Sequence, residues 1–413
     1  MEKVQTVIIG GGAAGLFLAT TLKSVDQKTV VLERSERVGR KLSATGNGQG
    51  NITNLGVLRE DYFSFSENGA ARARAAIAQY DDTSLVSHLE SLGLLLITDE
   101  RGRVYPAGRQ ASSITDALRF SAAARGVDLR TDAKVTDLTD TEQGFVVFTE
   151  NGRILAENVV LCTGGTVARS FGTDGSAYAL AQKFGHTLTP LYPSLVQLKT
   201  DPKEVKSLKG IRVPDASVAA TWSEFLGGRM HKRTVRLKGD IMFADYGVSG
   251  DSVFRLSAYL THRIRDGVSL SVDFLPSFTE EKIYTALVEK RKNFPFMPVG
   301  ELLGGFVNNQ VGRAVMKRAK DDLRVAAKTV KAFTLQITGH LGLDSAQVTK
   351  GGVKIDEVDE NLQSKLVKGL YFAGEILDID GPCGGYNLQW AYSSARTVAA
   401  AIDEKIAKRR GQV

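Results

Sequence analysis

Near the amino terminus, Gly10-Gly11-Gly12-Ala13-Ala14-Gly15 carries the G-x-G-x-x-G spacing, and an acidic residue, Glu33, stands 18 residues beyond the last of these glycines. That combination suits dinucleotide binding. Gly10 permits a tight turn, Gly12 lets the backbone approach a pyrophosphate, and Gly15 lets a helix pack closely on a strand. The first helical amides, those of Ala13 and Ala14 among them, then face the phosphates with the positive end of the helix dipole. Glu33 can accept hydrogen bonds from a ribose diol, and its charge disfavours a 2′-phosphate there. A second stretch, Ala44-Thr45-Gly46-Asn47-Gly48-Gln49-Gly50-Asn51-Ile52-Thr53-Asn54, has a composition that neither helix nor strand tolerates. As a loop, its amides and asparagines suit a polar ligand edge or a phosphate.

Other chemistries find no support. His88, His186, His231, His262 and His340 show no triad or ligand spacing, which sets aside hydrolase and metal readings. Cys162 and Cys383 are the only cysteines. They make no C-x4-C redox pair, disulfide framework or zinc site, and a reducing cytoplasm is the expected compartment. No second strand–GxGxxG–helix unit is present, so a nicotinamide cofactor would dock transiently, without a dedicated half-domain.

The elements that must position these groups read as follows. Val4 to Ile9 is a short buried strand, Ala13 to about Lys23 a helix, and Thr29 to Leu32 a second strand ending on Glu33. Leu129 to Cys162 is a strand series, with runs at Val135 and Leu138, Phe145 to Thr149, Arg153 to Ala156 and Asn158 to Cys162, and an Asn151-Gly152 hairpin turn. It delivers the chain to Thr163-Gly164-Gly165. From about 190 to 345 the character changes. Short antiparallel runs (Ser217 to Trp222, Thr234 to Leu237) are followed by helical spacing at Thr279 to Arg291 and Val311 to Lys328. Beyond it, a strand brings Gly374-Glu375 to a turn, and Gly384-Gly385 opens a last helix with Leu388, Ala391, Ala395, Val398 and Ile402 on one side. Two glycine-rich junctions more than 350 residues apart thus read as one split α/β domain, residues 1–189 with 346–413, closing around one extended ligand. Residues 190–345 form a β-barrel-like insert with a helical part near 278–328.

The composition agrees with a globular chain: 413 residues, 43% hydrophobic and 24% charged, enough for two or three domains. No apolar run approaches the roughly 18 residues of a membrane span. The start lacks a basic region before its apolar run, so no secretory signal is expected. The charge is +7, from 53 basic and 46 acidic residues. Part of it lies at Arg229 to Lys238 and part in the tail, Lys405 to Arg410. No basic stripe interleaved with aromatics is visible, so a solvated surface is expected and nucleic acid is not an expected partner. A monomer fits, although nothing in the sequence sets the oligomeric state.

Together, Gly10 to Gly15 with Glu33, Thr45-Gly46-Asn47, Gly102-Arg103-Val104-Tyr105-Pro106, Thr163-Gly164-Gly165, Tyr246-Gly247-Val248-Ser249-Gly250, Gly369 to Glu375 and Gly384 to Gln389 resemble the BaiN/RdsA-type NAD(P)/FAD-dependent oxidoreductases, nearly end to end. The resemblance implies FAD in a split Rossmann-like domain of the glutathione-reductase/hydroxylase type, with an inserted β-barrel and small helical subdomain. It implies hydride from NAD(P)H and reduction of an activated C=C bond in a small organic substrate. The rivals are a dehydrogenase or hydroxylase of the same fold, and a non-catalytic flavoprotein binding nucleic acid.

On this resemblance the ADP half rests on Gly10 to Gly15, Glu33 and Arg34, with Val135 offering backbone groups to the adenine. Lys41 and the loop residues Thr45, Gly46, Asn47 and Asn51 join the cofactor site. Thr163, Gly164 and Gly165 pass the pyrophosphate or ribose. Gly374 with Glu375, or alternatively Asp380, meets the ribityl chain. Gly385, Tyr386, Asn387 and Leu388 aim amides and a helix dipole at the flavin's pyrimidine edge, where two-electron reduction places negative charge. The substrate is expected between flavin and insert, with Arg103 clamping a carboxylate or carbonyl and Tyr105 or Tyr246 donating a proton. Relatives usually carry Arg-Cys-Asn where this chain has Gln49-Gly50-Asn51, so a cation and a thiol are missing from that loop.

Overall fold

The computed structural model describes residues 1–23, 28–59, 61–409 and 411; Arg410, in the basic tail, lies outside the described residues. The chain packs as two compact units, Met1–Tyr192 with Gln347–Val413, and Pro193–Ala346.

The first unit is built on a seven-stranded sheet. Its centre is β1 (Glu2–Ile9), flanked in parallel by β2 (Thr29–Leu32), which in turn pairs with β3 (Asp128–Arg130). A meander follows, β4 (Val135–Thr141), β5 (Gly144–Thr149) and β6 (Gly152–Leu161). The two expected runs on either side of Glu157 are one strand, because Glu157 simply points outward from a continuous ladder. The first half of β6 pairs antiparallel with β5, Val147 opposite Ile154, while from Ile154 to Leu161 the strand also runs parallel to β1, Val7 opposite Val159. The β5–β6 turn itself is Glu150-Asn151, since Gly152 already pairs with Thr149.

Apolar residues fill β1, β2 and the end of β6 because both faces of a central parallel sheet are covered. The helix after β1, Ala13–Thr21, is buried from Ala14 onward and stops short of the expected Lys23, with Leu22 already extended. The last helix, Tyr386–Arg409, is buried far more widely than one apolar side: Gln389, Trp390, Tyr392, Ser393 and Ser394 are covered as well. It packs against the helices Ala13–Thr21 and Gly69–Gln79, and its buried hydroxyls are satisfied locally. Ser393 Oγ donates to the Tyr80 carbonyl at 2.6 Å and Ser394 Oγ to that of Trp390 at 2.6 Å. Among the described residues no helix is long and apolar enough to cross a membrane.

The second unit holds a closed six-stranded antiparallel barrel: β7 (Leu198–Thr200), β8 (Arg212–Leu226), β9 (Arg229–Ala244), β10 (Gly247–Ser249), β11 (Ser269–Asp273) and β12 (Phe333–His340), in the order β7-β10-β9-β8-β11-β12. β8 and β9 are far longer than the expected runs. They pair with each other from Arg212 opposite Met242 to Leu226 opposite Arg229. Their other neighbours reach only part of them, β11 at 217–221 and β10 at 242–244, so the distal part is a two-stranded ribbon. Its exposed, charged composition hides the strand signal, which depends on one buried face. The helix Glu280–Asn293 is capped by Thr279 Oγ1, which accepts from the Lys282 amide. The stretch expected as one helix at 311–328 is two, Asn309–Ala319 and Leu323–Lys331, broken where Lys320 and Asp321 take positive φ.

Candidate cofactor site and substrate side

The turn after β1 is shaped by contact with β6. Gly10 has φ +104°, and a Cβ there would stand 2.6 Å from the Cys162 carbonyl oxygen. A Cβ on Gly15 would stand 2.0 Å from the Gly10 carbonyl oxygen, so only hydrogen lets the helix lie this close. Gly12 differs: its nearest such contact is at 4.0 Å, which leaves open space over the backbone. It is also the helix N-cap, with no side chain to satisfy the first amides. Beside the turn, Thr163 Oγ1 is buried without a hydrogen-bond partner, and so is Asn51 Oδ1 in the polar loop. A buried polar atom left unpaired costs about 1–3 kcal/mol, so such atoms mark where a polar ligand would complete the structure. An uncapped helix terminus, open space at Gly12 and two orphaned polar atoms fit the phosphate-rich half of FAD.

The two distant glycine motifs meet. The strand β13 (Leu370–Phe372) runs parallel to the end of β6, Tyr371 opposite Val160. It places Gly374 so close to the first helix that a Cβ would be 2.8 Å from that of Ala14. The Gly374 amide donates to Ser394 Oγ at 2.9 Å, and its carbonyl accepts from Trp390 Nε1 at 3.1 Å. Glu375 is held at both oxygens, by Lys41 Nζ at 2.7 Å and by the Thr349 amide at 2.8 Å. The loop joins the same assembly: Thr53 Oγ1 donates to Gln389 Oε1 at 2.6 Å, and Gly385 abuts the Thr53 backbone. In the last helix the first internal bond runs from Gln389 N to Gly385 O at 3.0 Å, so the amides of Tyr386, Asn387 and Leu388 lie ahead of the helical ladder. The Asn387 side chain closes the preceding turn, accepting from Gly381 N and donating to Gly381 O, both at 2.8 Å.

The remaining candidates occupy varied settings. Glu33 accepts from Gly11 N at 2.9 Å and Ser35 N at 2.8 Å, one amide on each oxygen, and each oxygen keeps a second lone pair. Arg34 is paired with Asp174 at 2.8 Å. Burial works to raise the Asp174 carboxyl, but Arg34 and Ser176 outweigh it and bring it down to about 2. Val135 opens β4 close to Glu33, whose carbonyl accepts from Ala133 N at 2.9 Å. Gly164 takes φ +71°, while Gly165 has no room for a Cβ because Thr349 Oγ1 would be 2.1 Å away. In the polar loop Gly46, Asn47, Gly48 and Gly50 all have positive φ. A side chain at Gly50 would press on Ala111, 2.9 Å from its Cα, so the loop seats closely against the helix Ala111–Ala124.

Asp380 is shut away. Its fully buried carboxylate pairs with Lys350 at 3.0 Å, and the ammonium lies over the Phe63 ring at 4.5 Å. Of the residues expected near the substrate, Arg103 lies next to Gly384, its Nε 3.7 Å from where a Cβ would stand. Tyr105 is nearly buried, with the Arg109 guanidinium 4.5 Å over its ring. Tyr246 belongs to the barrel unit, in the turn between β9 and β10, where its carbonyl accepts from Thr200 N at 3.1 Å.

Sequence spacing misses three features. Thr349 holds Glu375 and also accepts from Thr166 N at 2.9 Å; its one signal is the neighbouring Gly351-Gly352 pair. Asp378 accepts from Ser64 Oγ, Phe65 N, Ser66 N and Ser66 Oγ, and burial still pushes its carboxyl upward. The third is a structural histidine cluster that sequence spacing does not reveal. His186 lies between Glu357 (Nδ1, 3.2 Å) and Ser364 (Nε2, 2.8 Å). Ser364 Oγ, however, accepts from Leu366 N and Val367 N, and the His186 ring is wholly buried, so the trio pins a loop and has no substrate access.

This chain belongs to the HI0933-like Rossmann-domain family, which matches residues 4–401. It is a flavin-dependent oxidoreductase with an FAD-binding Rossmann-type domain. It is 32% identical to a 3-dehydro-bile acid delta(4,6)-reductase of Clostridium scindens, across 96% of this chain and 98% of that protein. It is 28% identical to the ribosomal RNA dihydrouridine synthase of Escherichia coli, across 96% and 97%. Its fold is similar to that of the 3-ketosteroid-delta4-(5alpha)-dehydrogenase of Rhodococcus jostii RHA1, at a TM-score of 0.51 and 16% identity, covering 97% of each chain.

Proposed function

We propose that this protein uses NAD(P)H to reduce an activated carbon–carbon double bond in a small organic substrate. The observation that carries the reading is its full-length relation to the Clostridium scindens reductase. FAD, once held by the residues below, would supply the two-electron hydride chemistry that links a nicotinamide donor to the alkene. The chain's own residues bind and orient. Gly12, Ala13 and Ala14 present amides to the pyrophosphate, Thr163 Oγ1 and Asn51 Oδ1 gain the partners they lack, and Glu33 accepts from the ribose. Glu375, fixed by Lys41 and Thr349, meets the ribityl hydroxyls, and the amides at Tyr386 to Leu388 favour negative charge at the pyrimidine edge. Arg103 clamps the carbonyl or carboxylate that activates the alkene. Tyr105 gives the proton that accompanies hydride.

Anaerobic mixing with NADH and with NADPH tests this: the yellow absorbance bleaches with one of them, then returns on adding 3-oxo-4-ene steroids, enones or unsaturated acids. No bleaching with either nicotinamide refutes the donor, and no recovery with any alkene refutes the acceptor. The relation to the Escherichia coli enzyme, together with the basic β8–β9 ribbon, favours a second reading in which the double bond belongs to a pyrimidine of RNA.

A further inference from the structure

Beyond the barrel, β8 and β9 continue only as each other's partner, ending at the Gly227-Gly228 turn. Alternation along this ribbon sorts its side chains. Glu224 is on the face that continues the barrel lining of Val218 and Ala220, and there it is paired with Arg233 at 3.2 Å and Arg263 at 3.1 Å. The opposite face carries Met230, Lys232, Thr234, Arg236 and Lys238 along β9, with Phe225 opposite Met230 and Thr221 opposite Thr234. From 217 to 225 and 230 to 238 that face holds no carboxylate. Lys232 and Lys238 make no ion pair among the described residues, and Arg236 reaches only Ser217 Oγ, at 3.4 Å. At the tip Phe225 and Met230 are 67% and 63% exposed. Strand pairing therefore sets an exposed aromatic at the tip of a row of cations that look separate from it in sequence.

We propose that this face is a docking arm for single-stranded RNA. The cations lie in a line about 20 Å long down the flat of the ribbon, which suits a phosphate chain. A membrane would engage the tip and leave the line in water. Phe225 offers a flat apolar surface for a base to stack on. Thr221 and Thr234, 3.1 Å apart at their hydroxyls, can accept as well as donate, which a 2′-hydroxyl requires and a phosphate does not. The inference stands on the ribbon and holds whichever double bond is reduced.

Anisotropy titration of the whole protein with a short unstructured fluorescent oligouridylate, with no nicotinamide present, tests it. Between about 50 and 200 mM salt, affinity is expected to fall with a log–log slope of about −2, the value for three phosphates on a single strand. The K232E/R236E/K238E variant should lose at least about tenfold in affinity and flatten that slope. The F225A/M230A variant should lose about tenfold with the slope unchanged, because stacking carries no counterions. Unaltered melting curves confirm that both variants fold. The proposal is overturned by absent binding at the lowest salt, by a charge-reversed variant that binds as wild type, by equal affinity for the matching DNA strand, or by phosphatidylserine vesicles that displace the RNA.

Discussion

At the residue scale, the cofactor assignment can be probed one atom at a time. Thr163→Val removes a hydroxyl that has no partner in the protein. It should weaken FAD binding by about 5–10-fold, one neutral hydrogen bond, while leaving the apoprotein's melting temperature unchanged or slightly raised. Flavin fluorescence titration and apoprotein melting separate the two effects; unchanged affinity would remove Thr163 from the site. Glu33→Arg should give colourless protein, since it deletes the ribose acceptor and the partner of two amides. His88 reports on acid stability. Burial foremost, then Arg396 and Arg125, holds its imidazole down to about 4, with Thr20 Oγ1 at 3.1 Å. The native ring is thus neutral while the unfolded one takes a proton near 6.5, so stability is complete above that pH and declines as pH falls from about 6.5 to 4, by up to about 3 kcal/mol. Urea titrations at several pH values should show a shallower decline in His88→Gln.

At the element scale, the strand–turn–helix start was legible because Gly10 and Gly15 answer steric demands and Gly12 leaves the backbone open. Gly15→Ala, with its methyl 2.0 Å from a carbonyl oxygen, should cost at least about 2 kcal/mol in a urea titration. The loop at 44–54 could be recognised as a loop, yet its tie through Thr53 to Gln389 could not, because the two residues are 336 apart in the chain. The ribbon was opaque for a different reason. Periodicity detects strands through a buried face, and β8 and β9 leave theirs as they leave the barrel. Likewise Asp380 passes in sequence for a ligand-facing acid, and only the neighbouring Lys350 shows that it belongs to the interior.

At the scale of the whole molecule, all the residues assigned to FAD belong to one of the two units. Saturating FAD should therefore raise the calorimetric transition of that unit, by about 2.7 kcal/mol at a hundred times the dissociation constant, and leave the barrel's own transition where it is. A single transition that moves as a whole would show instead that the two units unfold together. The union of chain ends was readable from the glycine-rich junctions, whereas the closed order of the barrel was not, since strand order depends on pairings that no local pattern encodes.

The burial of the last helix between its neighbours also has a temporal meaning. Tyr386–Arg409 supplies Trp390 and Ser394 to lock Gly374, and these residues are translated long after the amino-terminal sheet strands they help to cover. During synthesis the amino-terminal strands emerge with that groove unfilled, so the nascent chain exposes its apolar lining until this helix follows. Stop codons placed ahead of Tyr386 should yield chains that chaperones retain.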